Sequence, residues 1–314
     1  MNRPDAKQKI RQRGVALITA MLVVSLATIT AVAMTAEQQI FFRRTENILH
    51  HQQAYLYLLG AEDWAKQFLA RDLNDNQTDS RKDVWATELP PIPVEGGMIG
   101  GVVEDLQGRF NINNLADAQV QQVELDRFAA LLAMYQIPAS VSNAVLDWLD
   151  ADEQARFPDG AEDVDYMQAE LAYRAGNGPM GSVSELLRVR GITYEIYERI
   201  APALTALPVT SSAINVNTAP PVVLRMLVAD LSEQDAEALA ADLKDNPVEE
   251  IADFLAHDLV QGKQVATTGI DVRSNYFMVH AYARIGRARA TLQSVVVRTA
   301  PDNIKTLMRS QGDV

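Results

Sequence analysis

Residues 15–36 form an apolar run that contains neither a charged residue nor a proline. A helix of this length spans about 33 Å at about 1.5 Å per residue, which is enough to cross the hydrocarbon core of a bilayer. Several hydroxyl side chains interrupt the run, but a helical hydroxyl can hydrogen-bond to a carbonyl one turn back and is tolerated in lipid. The run therefore predicts a transmembrane helix.

The helical pattern continues beyond the apolar run. One stripe of apolar residues recurs at three- and four-residue spacing and consists of Ala54, Tyr57, Ala61, Trp64 and Phe68. On a helix these residues share one face, and no proline lies between positions 4 and 90 to end it. The pattern predicts one helix from about Val15 to about Leu73, with its second half packed on a folded domain.

A loop and then strands follow the predicted helix. Residues 75–83 and 88–97 are rich in Asp, Asn, Ser, Pro and Gly, which disfavour regular structure and predict a loop. Residues 96–113 alternate between apolar and polar positions around Gly108. That alternation predicts a strand, a turn and a second strand.

Helices and a final pair of strands complete the pattern. Six short amphipathic runs with turn residues between them lie within residues 120–257 and predict helices. Residues 275–299 predict two strands joined at Gly286. Two groups of strands on either side of a helical block predict an all-α domain inserted into a sheet.

An internal repeat supports this division. The segments GRFNINNLA at residues 108–116 and SAINVNTAP at residues 212–220 both alternate apolar residues with asparagines. Short polar side chains at such positions end a strand and cap the helix that follows. We predict that each segment leads from a strand into helices.

The N-terminal residues indicate how the apolar helix is oriented and processed. Five bases and one acid lie within residues 1–14, which favours a cytoplasmic N-terminus, although Arg43 and Arg44 on the far side oppose it. Residues 31–33 read Ala-Val-Ala, so removal of the whole segment by signal peptidase is an alternative to a retained anchor. Neither alternative explains Gly14, which stands between the basic residues and the apolar run.

The charge of the chain argues against nucleic acid as a partner. The formal net charge is −13, and the basic N-terminus leaves the rest more acidic still. Residues 184–200 have the helix, glycine, helix form of a helix-hairpin-helix module, but three glutamates offset their three arginines. A surface of this kind repels DNA, so a plain helical hairpin is the favoured interpretation. The chain has no cysteine, which excludes disulfides and thiolate metal sites and suits an oxidising compartment.

An acidic stretch, DWLDADEQARFPDGAEDVDY, contains eight carboxylates and a single base, Arg156. Crowded carboxylates repel one another, and a hard divalent cation that takes six to eight oxygen ligands would relieve the repulsion. The stretch is not an EF-hand, because Gln154 and Ala155 stand where that motif needs an oxygen ligand and a glycine. Calcium binding and a solvated acidic loop both remain open on spacing alone.

Catalysis is the least favoured function. The only histidines are His50, His51, His257 and His280, and they lack a metal-ligand spacing. The sequence contains no G-x-S-x-G motif, and it has few aromatic residues to line a glycosidase cleft beside a carboxylate pair.

Several motifs together resemble a known family. RQRGVALITAMLVVS is similar to a prepilin-type leader, which is cut after its glycine while the apolar helix is kept. GRFNIN, DWLDAD, GAED followed by Tyr, SELL and INVNTA then follow in order. Along nearly its whole length the chain resembles the general secretion pathway protein K family, the large minor pseudopilins of bacterial type II secretion.

The resemblance implies an α+β fold and a division of the chain. A long pilin-like N-terminal transmembrane helix would pack on a small antiparallel sheet, with a large all-α, helix-hairpin or SAM-like domain inserted between strands. The predicted segments are a leader (1–14), the transmembrane part of the helix (15–36), pilin-like helix and first strands (37–110), the inserted domain (111–265), C-terminal strands (266–300) and a tail (301–314).

The resemblance also implies site residues. Cleavage would fall between Gly14 and Val15, leaving a methylated amine at the new N-terminus. Family members bind calcium in the inserted domain, and the matching positions here are Asp147, Asp150, Asp152, Glu162, Asp163 and Asp165. No catalytic residue is implied.

Partners and location follow from the same resemblance. The implied partners are the minor pseudopilins I and J, prepilin peptidase and the inner-membrane assembly platform. The chain would cross the bacterial inner membrane once, with a cytoplasmic N-terminus and a periplasmic body. Thr19 would be the fifth mature residue, where major pseudopilins carry a glutamate that pairs with a neighbouring N-terminus, so its lack of charge implies a place at the filament tip. The alternative is a membrane-anchored helix-hairpin-helix protein that binds DNA during uptake.

Overall fold

A computed structural model of the chain describes residues 6–168 and 171–312, so the first five residues of the predicted leader lie outside the described part. The α-helices are α1 (Ala6–Asp75), α2 (Gln121–Met134), α3 (Val141–Leu149), α4 (Asp163–Tyr166), α5 (Tyr194–Ile200), α6 (Pro221–Leu227), α7 (Glu233–Asp245) and α8 (Ile251–Ala256). The predicted helix at SELLR is instead a 3-10 helix, Val183–Arg188.

Within the described residues, nine strands accompany the helices. They are β1 (Leu89–Val94), β2 (Gly97–Asp105), β3 (Phe110–Asn111), β4 (Leu204–Thr205), β5 (Ile214–Asn215), β6 (Ile270–Asp271), β7 (Tyr276–Ile285), β8 (Ala288–Ala300) and β9 (Asn303–Gly312). Five of them form one antiparallel sheet in the order β1-β2-β7-β8-β9. The predicted hairpin at Gly286 is confirmed as β7 and β8.

The first part of α1 has the properties of a membrane span. It is the one helix among the described residues that is long and apolar enough to cross a membrane, and its most apolar window is fully exposed. The threonine hydroxyls within it bond to carbonyls one turn back, as Thr28 does to the Val24 oxygen at 2.8 Å and Thr35 to the Ala31 oxygen at 2.8 Å. These bonds leave the hydroxyl groups satisfied without water.

The second half of α1 packs on the sheet as predicted, through a face that includes Ala54 of the predicted stripe and has most of the other stripe residues partly buried along its edge. The centre of that face consists of Ala54, Leu58, Glu62, Ala65 and Leu69, all buried. Trp64 of the predicted stripe is 40% exposed. The predicted stripe lies to one side of the centre because Glu62 occupies the centre, and a charged side chain is buried only when it is paired.

Two segments differ from the sequence interpretation. Residues 88–97 were expected to form a loop, but they contain β1 and the turn into β2. Three prolines fit there because β1 is an edge strand, and two of them lie where its register shifts between Leu89 and Ile92. The expected tail, residues 301–314, contains β9, which pairs with β8 along ten residues. The side chains of β9 are mostly exposed, so its polar sequence lacks the alternation by which a strand is predicted.

The inserted domain lies between β2 and β7 and has one continuous hydrophobic core. It is mainly helical, with two short parallel pairs in addition, β3 with β4 and β5 with β6. The first asparagine of each repeat is the last residue of a short strand, β3 or β5. This confirms the prediction that the repeats end strands.

The asparagines of the two repeats have matching roles. The first of each pair, Asn111 or Asn215, accepts a hydrogen bond from the backbone N–H two residues later. The second exchanges two hydrogen bonds with one distant backbone residue: Asn113 with Met180, and Asn217 with Val248. Each second asparagine thus pairs with a loop as another peptide group would, which fixes that loop on the core.

Candidate metal centre

The acidic stretch connects α3 to α4 along one edge of the inserted domain. Helix α3 buries nearly all its residues, and this burial fixes Asp147 near its C-terminal end. Residues 150–162 are irregular, and Glu162 then stands at the N-cap of α4. Two helix ends therefore hold the two ends of the loop.

The structure brings three of the six predicted ligands together. Asp150, Asp152 and Glu162 each offer a carboxylate oxygen, and these oxygens all lie within 4.8 Å of one another. Glu162 is only 3% exposed, and neither of its carboxylate oxygens has a hydrogen-bond partner. A buried, unpartnered carboxylate is costly, so this atom set is suited to a cation.

The electrostatics of the cluster act on Glu162. Burial, reinforced by the charges of Asp147, Asp150 and Asp152, raises the pKa of Glu162 to about 7. Burial also raises the pKa of Asp147, although the backbone N–H of Arg156 opposes this by hydrogen bonding to the carboxylate. Without a cation, Glu162 in the folded chain therefore stays mainly protonated below about pH 7.

Asp147 lies beside the cluster, and the guanidinium of Arg156 contacts both Asp147 and Asp150 of the cluster. The Arg156 Nε lies 3.3 Å from Asp147 Oδ1, and the Arg156 Nη2 lies 2.9 Å from Asp150 Oδ2. The backbone N–H of Arg156 also donates to Asp147 Oδ2 at 3.0 Å. Arg156 is thus the internal counter-charge of the site.

Asp163 and Asp165 make their contacts elsewhere. Asp163 Oδ1 accepts the backbone N–H of Ala175 at 2.9 Å. Asp165 Oδ2 accepts the backbone N–H of Glu162 at 3.2 Å, and its Oδ1 lies 3.1 Å from Arg190 Nη1. In this structure these two carboxylates fix the loops around the cluster.

A second acidic cluster, which the sequence interpretation missed, joins α1 to the sheet. Asp72, Asp79 and Asp83 have carboxylate oxygens within 4.8 Å of one another. The buried guanidinium of Arg298 already pairs with Asp79 and lies 3.1 Å from Asp72 Oδ2. The three carboxylates lie close together in the sequence, but Arg298 is more than 200 positions away, so no local motif could show that this cluster is already paired with a guanidinium.

The donor set at the first cluster fits a hard divalent cation. Calcium takes six to eight oxygen ligands at 2.3–2.6 Å and accepts flexible geometry. Three converging carboxylates, with Glu162 buried and unpartnered, supply such oxygens. The site has no nitrogen or sulfur donor of the kind that zinc prefers.

The architecture defines a class of protein. An exposed apolar helix continues without a break into a face that packs on an antiparallel sheet, and a large helical domain interrupts that sheet. This is the plan of a pilin-like subunit with a membrane anchor.

Comparisons with known proteins identify the family. Residues 108–209 and 214–273 match two sequence models described as type II secretion system protein K, and each segment contains the alternating asparagines of one repeat. The chain belongs to the type II secretion system protein K family, and it is a minor pseudopilin of type II secretion.

Individual relatives agree with this assignment. Protein K of Pseudomonas aeruginosa is 33% identical over 314 residues, which cover 96% of this chain and 93% of the relative. Protein K of Aeromonas hydrophila is 30% identical, with 96% and 98% covered. A chain in the crystal structure of the GspK-GspI-GspJ complex from enterotoxigenic Escherichia coli is 26% identical, with a TM-score of 0.76; the match covers 86% of this chain and all of that one.

Proposed function

We propose that this chain is the tip subunit of the type II secretion pseudopilus and joins minor pseudopilins I and J in its assembly. A single observation carries the proposal, namely the exposed apolar face of α1 beyond the membrane span. The similar chain in the solved GspK-GspI-GspJ complex supports the identity of the two partners.

That face, which we call the outer α1 face, is formed by Phe42, Leu49 and Leu56. The three side chains are 68%, 57% and 66% exposed. Their seven-residue spacing is that of a coiled-coil seam. At 100° per residue they lie on the side of α1 opposite Leu58 and Ala65, which pack on the sheet. The outer α1 face is therefore available to the helix of another anchored subunit.

The proposal includes processing and location. Prepilin peptidase cuts after Gly14, and α1 then anchors the chain in the inner membrane by a single pass. The basic residues before the cut keep the N-terminus cytoplasmic and the body periplasmic. The inner-membrane assembly platform then adds the subunit to the filament.

A non-enzymatic role is part of the proposal. Of the chain's histidines, His257 lies 2.9 Å from Asp242 and His280 lies 3.4 Å from Glu104, on separate elements. Neither pair belongs to the acidic cluster. The alternative of DNA binding is less favoured, because Arg190 of the hairpin is engaged by Asp165.

Calcium at the acidic cluster completes the proposal. Asp150, Asp152 and Glu162 would hold the ion, with Asp147 behind them. The bound ion would neutralise the crowded carboxylates and join α4 to the end of α3. Its role would be to stabilise the inserted domain.

Secretion in living cells tests the functional proposal. In a strain of the source bacterium that lacks this gene, the wild-type chain should restore export of type II substrates. A Gly14→Glu variant should stay uncut and fail to restore export, because the protease site requires a small residue. Full export by an uncut variant would contradict the proposal.

Calorimetric titration tests the calcium site. The full chain in a nonionic detergent should bind calcium at pH 8, and at 100 times the dissociation constant the ion should add about 2.7 kcal/mol of stability. Glu162→Gln should abolish binding. Glu153→Gln is the matched control, since Glu153 is exposed in the same loop and lies outside the cluster. An unchanged melting temperature in calcium would contradict the assignment.

A further inference from the structure

Arg156 is the only base between positions 147 and 165, and its side chain lies among the carboxylates that would hold a cation. We propose that its guanidinium is a built-in competitor that occupies Asp147 and Asp150 in the metal-free chain, and that a divalent cation must displace it to bind. Arg156 would thereby set the affinity of the site. The inference rests on the proposed calcium site and adds a residue that determines its affinity.

The contacts of Arg156 are selective within the cluster. Its guanidinium reaches Asp147 Oδ1 at 3.3 Å and Asp150 Oδ2 at 2.9 Å. Both oxygens of Glu162 nevertheless stay unpartnered. The arginine therefore neutralises the Asp147–Asp150 side of the cluster and leaves the Glu162 carboxylate without a counter-charge.

A guanidinium and a metal ion cannot share this space. Both draw on the carboxylate of Asp150: Arg156 pairs with its Oδ2, its Oδ1 has no hydrogen-bond partner, and Asp152 and Glu162 have oxygens within 4.8 Å of it. Two cations at such separation repel strongly in a partly buried site. Binding of one therefore requires the departure of the other.

The side chain of Arg156 can leave without disturbing the backbone. It is 38% exposed, so the guanidinium can swing into water. The main chain is held by separate bonds, from the Arg156 N–H to Asp147 Oδ2 at 3.0 Å and from the Gly160 N–H to the Arg156 carbonyl at 2.9 Å. Displacement then involves rotation of one side chain about a fixed loop.

Removal of the guanidinium should have two opposite effects. The metal-free chain should melt at a lower temperature, because the carboxylates lose their counter-charge. Calcium should bind more tightly, because nothing has to be displaced. A residue that merely organised the loop would weaken calcium binding when removed, so the sign of the change in affinity separates the two roles.

The test is a calcium titration of the full chain in nonionic detergent at pH 8, by calorimetry, for the wild type and three variants. Arg156→Gln should lower the dissociation constant about tenfold, which corresponds to about 1.4 kcal/mol. Arg156→Lys should give an intermediate value, since a lysine is a point charge that lacks the planar fork. Arg174→Gln is the matched control. It removes the same charge from an exposed side chain 3.7 Å from Asp163 and should change the constant by no more than about twofold.

Each outcome decides the matter. Equal or weaker binding by Arg156→Gln overturns the inference. If that variant folds only with calcium present, the calcium affinity of Arg156→Lys is compared with that of the wild type. Equal or weaker binding by Arg156→Lys then overturns the inference. If the wild type and Arg174→Gln bind no calcium, the proposed calcium site itself fails and the inference fails with it. If both bind and only the gain in affinity is missing, the site stands and the inference alone is wrong.

Discussion

Glu62 is a charged residue of α1 that is fully buried against the sheet. It accepts hydrogen bonds from Ser294 and Thr306 at 2.6 Å and from Arg309 Nε at 2.7 Å, and Lys66 Nζ lies 2.6 Å away. Burial alone would raise the pKa of Glu62, but these partners outweigh it and lower the pKa far below its ordinary value. One side chain thus joins α1 to the last two strands.

Glu62→Gln should destabilise the chain by about 3 kcal/mol, because the amide lacks the negative charge that pairs with Lys66 and Arg309 and puts an NH2 donor where a buried acceptor oxygen stood. Denaturant unfolding of the full chain in detergent measures the loss. Asp63→Asn is the matched control, since Asp63 also contacts Lys66 but is exposed, and it should cost less than about 0.5 kcal/mol. Equal losses in the two variants would contradict this account of Glu62.

Glu162 makes the effect of calcium depend on pH. Its pKa is about 7 in the folded chain, above the ordinary value of about 4.3, so the folded metal-free chain keeps a proton that the unfolded chain releases. The stability contributed by this proton is present below pH 4.3 and is lost as pH rises to about 7. Calcium requires the ionised carboxylate, so the proton competes with the ion below pH 7.

The difference in melting temperature with and without calcium should therefore be larger at pH 8 than at pH 5.5. Melts of the wild type in chelator and in millimolar calcium at both values measure it. Subtracting the two melts at each pH removes the contribution of titrating groups away from the site. Glu162→Gln should show no pH-dependent difference, and an equal difference at both pH values in the wild type would count against the site.

Residues were predictable where their partners are near in sequence. The acidic cluster was visible because Asp150, Asp152 and Glu162 lie within thirteen positions of one another. That Asp163 and Asp165 contact neighbouring loops instead was not visible, since both belong to the same run of acids. Glu62 and Arg298 were out of reach, because their partners come from strands and helices at the other end of the chain.

Helix α1 has two apolar faces, one packed on the sheet and one exposed. One packs on β7 and β8 and is closed by the buried residues around Leu58. The outer α1 face extends towards the membrane span, and no other element in the described part of the chain packs on it. The helix of another anchored subunit could therefore pack along α1 and bury both the membrane span and the outer α1 face.

Cross-linking of single introduced cysteines tests whether partners bind the outer α1 face. The chain has no cysteine of its own, so it adds no background cross-links. Leu49→Cys and Leu56→Cys should each cross-link to cysteines placed on the helix of pseudopilin I or J when the three are made together. Val84→Cys is the control, because Val84 is apolar and 70% exposed but lies off α1. Cross-linking from Val84 alone would show that the partners bind elsewhere.

Elements with strong periodicity were predicted, and those without it were not. The long helix and the β7–β8 hairpin follow from runs of apolar residues with clear spacing. Strand β1 contains adjacent prolines, and β9 is polar and largely exposed, so neither has the alternation of a buried strand. Both are edge strands whose pairing is set by the sheet beside them.

At the scale of the molecule, the inserted domain is held to the sheet by a buried polar junction. Asp105 at the end of β2 accepts hydrogen bonds from Asn215 at 3.0 Å and from Thr218 and Ser274 at 2.6 Å. The domain therefore projects from the sheet in a fixed position. In the proposed tip position, a domain of this size would obstruct a second copy stacked above it.

The mass of the intact complex tests the central claim most directly. The three subunits would be made together, extracted from membranes in nonionic detergent and weighed by native mass spectrometry. We expect one copy of each subunit, with this chain beginning at Val15. A complex with two or more copies of this chain, a chain still beginning at Met1 or trimmed to Met34, or the absence of either partner would contradict the claim.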